Sequence, residues 1–207
     1  MGGQLTYEYI GTPAQPNLYR LTCLVTRHCS GLAVAPPSVS CRVGTPTTSC
    51  TTTDPRNTVV TMTLAASVIS DFNCPSVGNA CNAAQTPYTT DRYTGTVELP
   101  PAPDWTLTMV EAGRTALANI ISNGDLYLQT TLSNQLTLPD GSTQTVHSSA
   151  PLVPEQTPLV YLAAYNQHNS LTFTAYDADG DSLAYSLVRS LGGCNQPATY
   201  RPFTSPG

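Results

Sequence analysis

The chain contains no lysine. Its 8 basic residues are all arginine, set against 13 acidic residues for a net charge of −5. A nucleic-acid binder needs a basic footprint to neutralise phosphates, and this composition offers none. The same deficit argues against an anionic membrane surface as partner. Long apolar runs are also missing, and none approaches the length of a membrane-spanning helix, so direct membrane insertion is not expected. Charged residues of any sign reach only 10%. Thr, Ser, Asn and Gln take their place, and Thr in particular suits the solvent face of a β-sheet. The low charge therefore points to sheet surfaces rather than to disorder.

Catalytic signatures are missing too. The sequence has no GxSxG, HExxH, P-loop or dinucleotide fingerprint. Acidic residues are too sparse to single out a glycosidase pair. His28, His147 and His168 are scattered, and His28 reads as a surface residue beside Arg27. None is placed by sequence to activate a cysteine. Trp105, the lone tryptophan, has two readings: part of a sugar-stacking platform with exposed tyrosines, or core filling, which is the commoner fate of such rings.

What is present is a succession of short alternating segments, punctuated by 18 Pro and 14 Gly. Period-two patterning predicts strands over Gln4–Ile10, Leu18–Cys29, Leu32–Val43, Thr58–Ala65, Tyr88–Leu99, Trp105–Val110 and Asp125–Leu132. A hairpin is expected where Pro139-Asp140-Gly141 separates Leu136–Leu138 from Thr143–Val146. Only Glu111–Asn123 has helical character. Ser148–Pro158 is Pro-rich and reads as a linker. Beyond it, Leu159–Tyr165, Ser170–Tyr176 and Leu183–Val188 look like further strands. The pattern predicts an all-β chain of two immunoglobulin-like β-sandwich modules. The first spans residues 1–147, the linker 148–158, and a second, short or truncated module 159–207. Met1-Gly2-Gly3 reads as a start placed after a removed export leader, and the C-terminus as a cut within a longer protein.

Two constellations carry chemistry. In Ala175–Leu187, AYDADGDSLAYSL, the carboxylates of Asp177, Asp179 and Asp181 alternate and Gly180 permits a sharp turn. Hard oxygen ligands at every second position suit calcium. No Glu closes the loop as in an EF-hand, so part of the shell would come from water or a neighbour. The other reading is an Asp/Gly turn whose side chains cap backbone N–H groups. The second constellation is the set of 7 cysteines. No pair has zinc-knuckle spacing, and disulfides in an oxidising compartment fit better. Cys41 with Cys50, and Cys74 with Cys81, each flank a short loop that a bridge would close. Cys23 and Cys29 are roughly 20 Å apart on one extended strand and should not pair with each other. Cys194 is expected to be the unpaired thiol.

Four segments in order, GGQLTYEYIG, YRLTCLVTRHCSG, TGTVELPPAPDWTLT and FTAYDADGDSLAYSL, resemble the N-terminal region of large secreted proteins of gliding Bacteroidota. Those proteins pair a GGxxxYxxxG strand with a YxxxLxxxRDC-like strand, a TVxLPP segment leading to a CCRN-like motif, and an AxDxDGDxLxYxL cadherin-like or PKD-like module. Many end in a type IX secretion sorting domain. The chain departs from the pattern: the RDC position is Arg27-His28-Cys29, and the CCRN position is Ala112-Gly113-Arg114-Thr115. The family's disulfide pattern therefore does not carry over. The resemblance implies export to the cell surface or beyond and a non-enzymatic role in adhesion, display or structural assembly. Its partners would be other surface proteins, copies of itself or glycans. A carbohydrate-binding module of a secreted protein is the alternative.

Overall fold

The computed structural model describes residues 2–28, 35–44, 53–70, 88–112, 125–153 and 174–200. In chain order the strands are β1 (Gly2–Tyr9), β2 (Leu18–His28), β3 (Ser38–Val43), β4 (Thr58–Thr61), β5 (Thr63–Ser70), β6 (Tyr88–Glu98), β7 (Trp105–Glu111) and β8 (Leu126–Leu132). Two small hairpins follow, β9 (Gln135–Thr137) with β10 (Thr143–Thr145), and β11 (Leu191–Gly193) with β12 (Gln196–Pro197). One sheet has the order β1-β2-β6-β5 and the other β4-β3-β7-β8. Every pairing is antiparallel. The described residues are thus all-β, in a sandwich-like arrangement.

The alternation in the sequence decides which side chains lie between the sheets. On β2, Tyr19, Leu21, Cys23 and Val25 are fully buried while Arg20 between them is exposed. Leu5 and Tyr7 of β1 and Tyr93 and Val97 of β6 join them. Val39 and Cys41 of β3, Trp105, Leu107 and Met109 of β7, and Leu126 and Leu132 of β8 come from the facing sheet. Trp105 is fully buried and donates its indole N–H to the Pro100 carbonyl at 3.0 Å. It fills the core and cannot serve as a stacking platform. Near it, the buried Asn134 side chain accepts from the Ala102 N–H at 2.7 Å and donates to the Leu99 carbonyl at 2.8 Å. This pins the proline-rich entry to β7 beneath the turn after β8.

The expected strand over Thr58–Ala65 is two strands in different sheets. Met62 lies between them, 1% exposed, with its N–H donated to the Pro37 carbonyl at 2.9 Å. The chain crosses from one sheet to the other at this residue, and beyond it Thr63–Ile69 are exposed throughout. Leu64, expected on the same face as Met62, is consequently 50% exposed. The crossing also packs close to β6: a Cβ on Gly95 would stand 2.9 Å from Val60 and 3.0 Å from Met62.

Leu183–Val188 does not form the expected strand. It has no pairing partner among the described residues, and Tyr185, Leu187 and Val188 are exposed. Among the described residues the alternation there has no sheet to face. The expected helix at Glu111–Asn123 and the strand at Leu159–Tyr165 fall largely or wholly outside the described residues.

Two cysteine expectations are corrected. Cys41, expected to bridge to Cys50, is a free thiol buried in the core. It stands on the inward face of β3, opposite Thr58 on one side and Leu107 on the other, with its side chain in the core cluster. Cys194, expected to be the unpaired thiol, is disulfide-bonded. Cys23 is also free and buried. Cys29, Cys50, Cys74 and Cys81 lie outside the described residues.

Candidate functional site

The outward faces of β1, β2 and β6 form the floor of the site. Strand register sets their side chains in rows. Gln4, Leu24 and Arg92 make one row, and Glu8, Arg20 and Thr96 another. Between them runs a row of four threonines, Thr6, Thr22, Thr94 and Thr63, one from each strand of the sheet. Arg20 donates to a Glu8 carboxylate oxygen at 2.8 Å, an exposed pair across β1 and β2.

A wall rises beside β1. The Tyr9 N–H donates to the Ser149 hydroxyl at 3.2 Å, and the Ala150 N–H to the Tyr7 carbonyl at 2.8 Å. Leu152 and Tyr176 then exchange backbone hydrogen bonds at 2.8 and 3.0 Å. The start of the expected linker is therefore an extended segment held along the sheet, and it carries the Asp/Gly turn with it. Wall and floor enclose an open cleft of about 290 Å³, with Leu152, Val153 and Ala178 on the wall side. A more open hollow of about 380 Å³ lies on the outer face of the other sheet, around Pro36, Pro37, Ser40, Arg42 and Thr108.

At the cleft's rim, Asp177 Oδ1 accepts the N–H groups of Asp179 at 2.9 Å and Asp181 at 3.2 Å. Gly180 follows at φ +84°, a left-handed conformation that glycine adopts without steric cost. Asp179 Oδ2 accepts the Ser149 N–H at 2.6 Å. Carboxylate oxygens expected for a cation are thus engaged by backbone donors. Among the described residues, no three of His, Cys, Asp or Glu come together as a group that could hold a metal ion. Asp177 and Asp179 remain close enough to β1 to add to the rise of the Tyr7 pKa, whose larger cause is burial.

No family model, curated protein or solved structure matches this chain. Of the residues singled out by sequence, the structure brings Asp177 and Asp179 to the cleft rim and puts Cys41 in the core. Cys50, Cys74 and Cys81 lie outside the described residues. The floor residues Arg20, Arg92 and the threonine row were not foreseen. Their signal was present as the outward half of each alternating strand, but which strands are neighbours was not readable.

Proposed function

We propose that this chain is a non-enzymatic extracellular segment of a cell-surface protein, serving adhesion, display or structural assembly. The observation that carries the reading is the strand order. In immunoglobulin-type nomenclature, β1-β2-β6-β5 corresponds to A-B-E-D, and β4-β3-β7-β8 to C′-C-F-G. That scaffold presents sheet faces and loops to partners. The disulfide at Cys194 supports export, because such bonds persist in oxidising compartments. In this reading residues 159–207 belong to a cadherin-like or PKD-like module of the gliding-protein type, and its partners are other surface proteins, copies of itself or glycans. The polar cleft favours carbohydrate binding as the second reading. Immunolabelling of intact cells that make the full protein tests location. Label at the surface is expected; label only after permeabilisation overturns the reading. Calcium as a rigidifying ion is tested by melting the chain in calcium and in chelator, with a higher midpoint in calcium expected and equal midpoints counting against it.

A further inference from the structure

We propose that this chain assembles head to tail, residues 183–188 of one copy adding as a further strand to the free edge of β5 on the next. This deepens the assembly reading, in which copies of the chain are partners, and rests on it.

The acceptor is an unfinished edge. β5 ends its sheet, and among the described residues no strand lies beyond it. Its outer line of backbone N–H and C=O groups is a template for another strand. Charge and proline are both missing from its sequence, TLAASVIS. Its side chains are left uncovered as well. Leu64 and Ile69 stand opposite Tyr93 and Thr89 of β6, which are buried, yet they themselves are about half exposed. A neighbouring strand with large apolar side chains at every second position would cover them.

The donor has that pattern. Leu183, Tyr185 and Leu187 alternate with Ala184, Ser186 and Val188, and none carries charge. Among the described residues this segment pairs with no strand, and Leu187 and Val188 are almost wholly exposed. Tyr185 engages only its hydroxyl, which accepts the Ala175 N–H at 3.2 Å. Two copies of like net charge, −5 each, can meet along these strips because neither strip adds to the repulsion.

Geometry makes the pairing intermolecular. The donor is held between two fastenings, Asp179 to Ser149 beside β1 and the β11–β12 hairpin against β8, and β1 and β8 lie against each other. β5 is at the opposite end of the sheet from β1. A strand added beyond it would lie four strand spacings from β1, roughly 19 Å. The four residues from Asp179 to Leu183 reach at most about 14 Å when fully extended. With its fastenings kept, a chain cannot seat its own segment on its own β5. Donor and acceptor on opposite edges make a heterologous contact, which continues from copy to copy unless the rotation closes a ring. Main-chain hydrogen bonds give such strand addition its affinity, and alternate side chains its specificity.

The test is sedimentation velocity of the purified chain at rising concentration, up to roughly 1 mM, with hydrogen exchange on the associated form. The unmodified chain is expected to form a series of species beyond the dimer, with new protection at residues 63–69 and 183–188. Leu187→Asp charges the donor at a fully exposed side chain, and Val68→Lys charges the acceptor. Each variant alone is expected to stay monomeric. Mixed one to one, they are expected to form a dimer that does not grow, because one keeps a working β5 and the other a working segment. An unmodified chain that stays monomeric overturns the proposal, as does new protection confined to other segments or a mixture that stays monomeric. So does either single variant that still associates; persistence in Leu187→Asp would point instead to β5 pairing with β5. Because the measurement uses purified chain, its outcome is independent of the immunolabelling that tests location.

Discussion

At the scale of single residues, the sandwich interior among the described residues holds a charged pair beside apolar neighbours. The Arg27 Nε–H donates to Asp91 Oδ2 at 3.0 Å, and the Ser67 hydroxyl donates to Asp91 Oδ1 at 2.6 Å. The Asp91 side chain is only 4% exposed. Desolvating such a pair offsets much of its attraction, yet removing one partner leaves an uncompensated charge. Asp91→Ala should therefore destabilise the fold by about 3–5 kcal/mol, measured by denaturant unfolding; a loss below about 1 kcal/mol would show that solvent already screens the pair. The two free thiols give a prediction in pH. Burial pushes Cys23 and Cys41 from an ordinary 9.0 up to about 12, with the Glu111 carboxylate adding a smaller rise at Cys23. The folded chain thus holds these protons more tightly than the unfolded chain. Their contribution is complete below pH 9 and is lost as pH rises toward 12, at up to roughly 1.4 kcal/mol per pH unit for each thiol. Alkaline unfolding within that window is expected, delayed in a Cys23→Ala/Cys41→Ala variant relative to its own stability at pH 7. At pH 8 neither thiol should react with iodoacetamide until the chain is unfolded. The place of Cys23 was legible, since it alternates with Leu21 and Val25 on one face of β2, whereas Cys41 beside a short loop read as a bridge partner.

At the scale of elements, the alternating segments up to residue 145 were legible wherever one face meets the core. β1, β2, β6, β7, β8 and the β9–β10 hairpin lie within a few residues of their expected positions, because period-two burial writes itself directly into side-chain choice. Failures came where the chain changes its burial partner. Met62 continues the alternation of Thr58–Ala65 unbroken, and nothing local marks the passage between sheets. Leu183–Val188 alternates as well but pairs with no strand among the described residues. The consequence of the crossing is β5, an edge strand whose Leu64, Val68 and Ile69 are all exposed. It carries no charge and no proline, the devices that usually protect an edge from pairing with another chain. Val68→Lys should leave stability within about 0.5 kcal/mol, as at other open surface sites. It should also lower light scattering at high protein concentration. A loss of 2 kcal/mol or more would mean that Val68 is covered.

At the scale of the whole molecule, the described part of the C-terminal region is fastened to the sandwich at two points. One is the wall beside β1, through Ser149 to Asp179 and Leu152 to Tyr176. The other is the β11–β12 hairpin against β8, where the Tyr127 hydroxyl lies 3.5 Å from Cys194 Sγ. This is why the candidate site was only half legible. Asp177, Asp179 and Gly180 announce a turn, but the floor that the turn borders comes from strands whose sequence positions are more than 80 residues away. Such non-local pairing leaves no trace in spacing. The two fastenings use different residues on different sheets and should act independently. Asp179→Ala removes an acceptor from the Ser149 N–H and should raise hydrogen exchange at Ser149, Leu152 and Tyr176. Cys194→Ser removes a bridge that, by loop-closure reasoning, is worth about 2–4 kcal/mol. The loss should be local: faster exchange across Leu191–Ala198 and at Tyr127, with β2 and β6 still protected, because their core depends on Tyr19, Leu21 and Tyr93 rather than on the bridge. Uniform loss of protection through both sheets would show instead that the sandwich and the C-terminal segment fold as one cooperative unit, and that the disulfide stabilises all of it.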